Sequence, residues 1–212
     1  MKKTLLIAVA ALIAQTSFAQ ISIAPEVGFQ MVNQNVNSDS STSGDFKASY
    51  RAGVNLGVDL TKKLTLHVGG FYSAKGTQQD VLGLKATLNY SYIEVPIYLN
   101  YSVVKFAGNE LFVGAGPYLG YCIGAKGKIK GSILGQSFDE EIDMPIGSDE
   151  NTDAVKPLDY GVNANIGFIT KMGIYARAHY SLGLANTVPG GDSDNSVKNT
   201  AFGLSVGYQI KF

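Results

Sequence analysis

From Ala48 to Leu60 the chain reads ASYRAGVNLGVDL, with every even position apolar: Ala48, Tyr50, Ala52, Val54, Leu56, Val58 and Leu60. Between them stand Ser49, Arg51, Gly53, Asn55, Gly57 and Asp59. Successive side chains of a strand point to opposite faces, so this alternation commits one face to an apolar medium and the other to a polar one. The same division recurs in 21–31, 64–75, 86–103, 111–124, 158–170, 174–184 and 202–212, giving eight such segments in all. In 86–103 the parity changes near Tyr92 and Ile93, which predicts a β-bulge.

The connections alternate as well. Residues 61–63, 105–110 and 171–173 are short, whereas 32–46, 76–85, 125–157 and 185–201 are longer and rich in Ser, Asn, Asp and Gly. An even number of strands with short turns on one rim and long loops on the other predicts an all-β fold, an eight-stranded antiparallel transmembrane β-barrel of the outer-membrane type. A soluble sandwich or lipocalin-like barrel also alternates, but its outward face carries more Lys and Glu than the Ser, Gly and Asn seen here. Hydrocarbon tolerates no unpaired sheet edge, and closure removes the edge. Aromatic residues fall into two candidate interfacial girdles, Phe29, Tyr50, Tyr72, Tyr121, Tyr160, Tyr180 and Phe202 toward the long loops, and Tyr101, Phe168, Tyr208 and Phe212 toward the short turns. Pro25, Pro96 and Pro117 resist the pattern, because a closed barrel offers no edge on which to place a missing donor. The parity change near Tyr92 offers an account of Pro96 alone.

Lys2 and Lys3, the apolar run Leu5 to Ala14 and the small-residue site Ser17-Phe18-Ala19 predict a signal peptide over residues 1–19 and a barrel domain over 20–212. Without Lys2 and Lys3, 17 basic and 17 acidic residues become 15 and 17, a balance that gives no reason to expect nucleic acid as a partner. Cys122 is the only cysteine, so no internal disulfide is available.

The stretches YIEVPIYLNY (92–101), FVGAGPYLGY (112–121), LDYGVNANIGF (158–168) and YSLGLAN after ARAH (176–186) resemble successive motifs of the PorT-like outer-membrane β-barrel family, and the resemblance spans most of the chain beyond residue 19. It implies the barrel and a Gram-negative outer membrane; the family's namesake is associated with gliding and protein secretion. The ending also resembles the C-terminal signal that such barrels present to the assembly machinery, with Phe202, Leu204, Val206, Tyr208, Ile210 and Phe212 alternating. This arrangement puts both termini on the periplasmic side. Outer-membrane lipid, lipopolysaccharide and the barrel assembly machinery are the partners it implies, with an extracellular protein or a secretion system as a further one.

Parity sends Glu26, Arg51, Asp59, His67, Lys75, Glu94, Asp159, Arg177, His179 and Lys211 inward. Isolated buried charges are costly, so they are expected in pairs, foremost Glu26 with Arg51, then Glu94, Arg177 and His179 as a structural polar cluster. An ion-conducting pathway is the rival use of these groups. Phe71, Tyr98, Phe112, Tyr118 and Tyr175 also point inward, and an eight-stranded barrel is just wide enough for side chains to fill, which predicts a plugged lumen. GAGPYLG (114–120) lacks the helix of a dinucleotide loop. His179 and Ser181 form a His-x-Ser pair like that of lipid A deacylase barrels, but parity points both away from lipid. Asp139, Glu140, Glu141, Asp143, Asp192 and Asp194 lack the spacing of a calcium loop. No enzyme activity, cofactor or metal is expected. IKGSILGQSFDEEIDMPI (129–146) alternates and suggests a hairpin beyond the membrane whose edge binds a partner, making surface interaction or a structural envelope role the expected function.

Overall fold

The computed structural model describes residues 20–37, 44–81, 83–133, 136–192 and 194–212; the expected signal peptide lies outside them. Within the described residues ten strands form one antiparallel sheet: β1 (Ile21–Asn37), β2 (Lys47–Asp59), β3 (Leu64–Val81), β4 (Leu84–Phe106), β5 (Asn109–Ile133), β6 (Gln136–Asp143), β7 (Leu158–Ile169), β8 (Ile174–Gly183), β9 (Ser196–Tyr208) and β10 (Ile210–Lys211). Pairing runs from β1 through β5 to β7, β8 and β9, and β9 returns to β1 from Glu26↔Gly207 to Asn37↔Ser196. Eight strands therefore close a barrel. The short β10 continues β9 along β1, and β6 folds back on β5 outside the ring.

A path of register partners from Tyr175 through Gly207, Glu26, Gly53, Phe71, Glu94 and Gly120 reaches Asp159. Continuing the Gly161↔Gly183 register by two residues puts Ala185 opposite Asp159, so one circuit of the barrel is displaced by ten residues, from 175 to 185. A barrel with such a shear has strands tilted by about 40°.

The alternation seen in the sequence is the alternation of the two surfaces. Val27, Phe29, Tyr50, Leu56, Val95, Leu119, Tyr160, Ile166, Tyr180 and Leu204 face outward and are exposed, while Ser22, Glu26, Asn55, Glu94, Asn163 and Arg177 are buried inside. Among the outward aromatic residues Tyr50 stacks on Tyr72 at 5.8 Å, and Phe106 lies 6.0 Å from Phe168. Inside, space comes from glycine. Four register pairs set an aromatic ring over a glycine of the next strand: Phe71 on Gly53, Tyr118 on Gly161, Phe112 on Gly167 and Tyr175 on Gly207. A methyl group at Gly161 would stand 2.7 Å from the Tyr118 ring.

The three prolines share one solution. The β1 ladder to β9 and β10 omits Ala24 and Pro25, the β3–β4 ladder omits Val95 and Pro96, and the β4–β5 ladder omits Ile97 opposite Pro117. Each missing donor thus falls at a gap in a ladder on one side of its strand, inside a closed sheet. The β-bulge expected near Tyr92 is present, as a register shift between Ser91 and Tyr92, but it does not account for Pro96, which lies beyond it and keeps Tyr118 as its partner. Tyr92 pairs with Cys122 and Ser91 with Gly124, so the extra residue is Ile123 on β5, and β4 keeps its parity from Tyr90 to Ser102. A second shift leaves Val103 unpaired on β4.

Two expected loops are largely strand. Residues 76–85 complete β3 and begin β4, joined by a tight turn at Gly83 (φ 82°), and most of 125–143 is the β5–β6 hairpin. Outside the barrel both faces of a strand meet water, so the polar composition that reads as loop is that of solvated sheet. At the opposite rim β4 and β5 join through Ala107 and Gly108, both with positive φ (49° and 82°), a tight hairpin turn.

Candidate functional site: a sealed lumen beneath a projecting sheet

Among the described residues three cations and three carboxylates are buried in the barrel, arranged as two clusters. In the first, Lys75 on β3 lies 2.7 Å from Glu94 on β4 and 2.9 Å from Asp159 on β7. Asp159 also accepts from the Tyr118 hydroxyl (3.3 Å to each oxygen) and from Asn199 Nδ2 (3.0 Å). The Lys75 ammonium stands 4.3 Å from the Tyr118 ring centroid and 5.2 Å from that of Tyr92. Lys75 is 2 %, Glu94 1 % and Asp159 0 % exposed, so this cluster crosses the lumen without water-filled space around it.

In the second cluster Glu26 on β1 takes an ion pair from Arg177 on β8, and its carboxylate also accepts from Tyr175 (2.8 Å) and Asn55 (3.2 Å). Arg177 lies over the Tyr98 ring at 4.8 Å. Arg51 lies over Phe71 at 4.1 Å and reaches the Tyr98 hydroxyl at 3.5 Å. The structure therefore corrects the expected Glu26–Arg51 pair. In register Glu26 faces Gly53 while Arg51 faces Gly28, so the arginine starts two residues away and settles on aromatic faces. Arg177 reaches the same carboxylate from the other flank, because Tyr175, Gly207 and Glu26 share one register line.

Of the residues singled out from sequence, Glu26, Arg51, Glu94, Arg177 and His179 are all buried in the lumen. Lys75 and Asp159, inward by parity, prove to be the centre of the first cluster. Their partnership spans 84 residues of sequence, and parity carries no information about which strands face each other across a barrel. Ser181 donates its hydroxyl to Asn163 on β7 and is buried beside the polar core. Phe202, Leu204, Val206, Tyr208, Ile210 and Phe212 all face outward, and the Phe212 backbone N–H donates to Ile21 (2.9 Å), holding the last residue to the first strand.

The long-strand rim is closed by a lid that sequence reasoning missed. After β6, Met144 N–H donates to Ala125 C=O (2.9 Å), the chain turns down, and Ile146 bridges Val155. Val155, 1 % exposed, packs with Tyr90, Tyr92, Cys122 and Ala125, flanked by Leu88, Met144 and Ile146. The signal for it was the apolar Met144-Pro145-Ile146 and Val155 within a polar stretch. At the short-turn rim a cavity of about 40 Å³ lies between Asn55, His67, Asn100, Phe112, Tyr175 and Arg177, room for about one or two waters. The acidic loops engage their own backbone: Asp192 accepts from the N–H groups of Asp194 (3.0 Å) and Asn195 (2.9 Å).

Above the lid the sheet continues. β3 pairs β4 as far as Val81↔Leu84, β4 pairs β5 as far as Lys85↔Lys130, and β5 pairs β6 as far as Ile133↔Gln136. A family model described as outer membrane protein beta-barrel domain matches residues 13–188. The chain belongs to that family. It is thus a small barrel of the Gram-negative outer membrane, and its outward apolar band is the surface that meets lipid. Several solved structures are similar to this member of the family. Ail, the attachment invasion locus protein of Yersinia pestis, is 12% identical over 91% of this chain and 99% of its own, with a TM-score of 0.44. Neisserial surface protein A is 12% identical over 90% and 97%, with a TM-score of 0.45. The N-terminal β-barrel domain of Pseudomonas aeruginosa OprF is 14% identical over 87% and 97%, with a TM-score of 0.33. At such distances no role of those proteins transfers to this chain. No curated protein matches it.

Proposed function

We propose that this protein is a non-conducting, non-enzymatic surface barrel whose task is to hold the projecting β3–β6 sheet outside the cell for interaction with a partner. The observation that carries the reading is the combination of a lumen crossed by the Lys75–Glu94–Asp159 cluster and lidded by Val155 with four strands that continue beyond that lid. A barrel built to pass solutes leaves its axis open, and a barrel built to hydrolyse lipid turns its catalytic groups toward lipid. Here His179 and Ser181 are buried inside, and the elaborated part is the sheet above. On this reading both termini are periplasmic and the hairpin is extracellular. The motifs that resemble PorT-like sequences fall on Pro96, Pro117 and the lumen-facing residues around them, so what they specify is barrel architecture, and a secretion-accessory role draws no residue of the projecting sheet.

The test is topological. Cys122 is 2 % exposed, which leaves the wild-type protein without an accessible thiol among the described residues. A Glu140→Cys variant on intact cells is expected to react with a membrane-impermeant maleimide; labelling only after the outer membrane is permeabilised would reverse the orientation and end the surface role.

A further inference from the structure

β6 ends the projecting sheet. One side of β5 is taken by β4 and the other by β6, and β6 pairs with β5 alone among the described residues, so the far edge of β6 presents eight residues of backbone with every second N–H and C=O directed outward. Such an edge is a template for another strand. What it accepts is set by its two faces.

On one face Asp139, Glu141 and Asp143 stand opposite Lys130, Lys128 and Lys126 of β5. The ion pairs form a ladder: Lys130–Asp139 at 2.9 Å, Lys128–Asp139 at 3.2 Å, Lys126–Glu141 at 2.7 Å and Lys126–Asp143 at 3.8 Å. The carboxylate side chains keep 49%, 41% and 87% of their surface, and an ionised carboxylate can accept from several donors, so the ladder leaves acceptor capacity toward the free edge. The opposite face carries Phe138 and the exposed Ile142, with Glu140 between them. The sequence of β5 itself, Lys126-Gly127-Lys128-Ile129-Lys130, shows what this strand accepts on its filled side: a cation at every second position and a small or apolar residue between.

We propose that the free edge of β6 binds an extended segment with basic and apolar residues at alternate positions, added as the next strand of the sheet. This rests on the surface role argued above and names the chemistry of its partner. The same charges exclude a second copy of the chain joined β6 to β6, because Asp139, Glu141 and Asp143 would face their own counterparts, and like charges opposite one another destabilise a strand pair. Main-chain hydrogen bonds supply affinity in such a union, and the alternate side chains supply selection.

The experiment uses the mature protein refolded into zwitterionic nanodiscs, with empty nanodiscs as the blank, and measures binding of synthetic heptapeptides by calorimetry. Lys-Val-Lys-Val-Lys-Val-Lys is expected to bind at least tenfold more tightly than Thr-Val-Thr-Val-Thr-Val-Thr. Glu-Val-Glu-Val-Glu-Val-Glu is expected not to bind, and methylation of alternate backbone nitrogens of the lysine peptide is expected to abolish its binding. Equal affinity for the lysine and threonine peptides would overturn the basic-partner inference while leaving an edge-binding surface. Undiminished binding of the N-methylated peptide would show ionic adsorption and overturn strand addition. If no peptide binds to folded protein the inference falls, whereas the surface reading stands or falls separately on the labelling of Glu140→Cys.

Discussion

At the scale of single residues, the stability of the lumen turns on charges that cannot leave water singly. Removing one member of a buried, hydrogen-bonded ion cluster strands the others, at a cost of about 3–5 kcal/mol. Lys75→Met is therefore expected to lower unfolding stability in urea by an amount of that order, because Glu94 and Asp159 lose the cation they share. Combining it with Glu94→Gln and Asp159→Asn is expected to recover most of the loss; a Lys75→Met protein as stable as wild type would mean the cluster is hydrated. Glycine sets the second limit. Gly161→Val drives a branched side chain into the Tyr118 ring, and overpacking of this kind costs about 1–3 kcal/mol, readable as a lower urea midpoint. Period-two parity was enough to place these residues inside, since it is a property of each strand alone. It was not enough to pair Glu26 with Arg177 or Lys75 with Asp159, because those contacts depend on the ten-residue shear of the closed barrel, which emerges only when all eight registers are combined.

At the scale of strands and hairpins, the prolines and the extended sheet carry the argument. Leu119 pairs with Val95 on one side and Tyr160 on the other, so Leu119→Pro removes a ladder donor where no gap exists and leaves its acceptor unpaired, with an expected cost of about 1–3 kcal/mol. It should leave little heat-modifiable folded protein on a gel, while Pro117→Ala, beside an existing gap, should fold; the reverse order would refute the ladder-gap account. In the β5–β6 hairpin the sign of the pH effect follows from the pairings. Lys130, with Lys128, holds Asp139 below the usual carboxylate range, and Lys126 does the same for Glu141. A lowered folded value means that the ion pairs stabilise the hairpin above the ordinary carboxylate range and that this contribution is lost as pH falls through the depressed values. Amide hydrogen exchange across Lys126–Asp143, corrected for intrinsic rates, is thus expected to show protection that is constant from neutral to mildly acid pH and weakens only below the usual carboxylate values. The sequence showed the hairpin by its alternation. It concealed the upper halves of β3 and β4, where Thr77, Gln78, Gln79 and Asp80 have the composition of a loop although they are paired residue by residue with Leu88, Thr87, Ala86 and Lys85.

At the scale of the molecule, closure is what makes the parts consistent. The ring is shut by β1 against β9, the lumen by two ion clusters and the long-strand rim by Val155 on Tyr90, Tyr92 and Cys122. Opening that lid should expose the cysteine beneath it. Val155→Asp places a charge in an apolar cluster and is expected to raise the reaction rate of Cys122 with a thiol reagent about tenfold or more, equivalent to about 1.4 kcal/mol in the free energy of local opening. Closure of the whole lumen is tested most directly by planar-bilayer conductance of the refolded protein, after a heat-modifiability gel has shown that the barrel formed. The expected record is silent for wild-type protein; discrete, reproducible openings whose size changes with Lys75→Met or Glu94→Gln would contradict a sealed barrel and make the buried clusters an ion pathway.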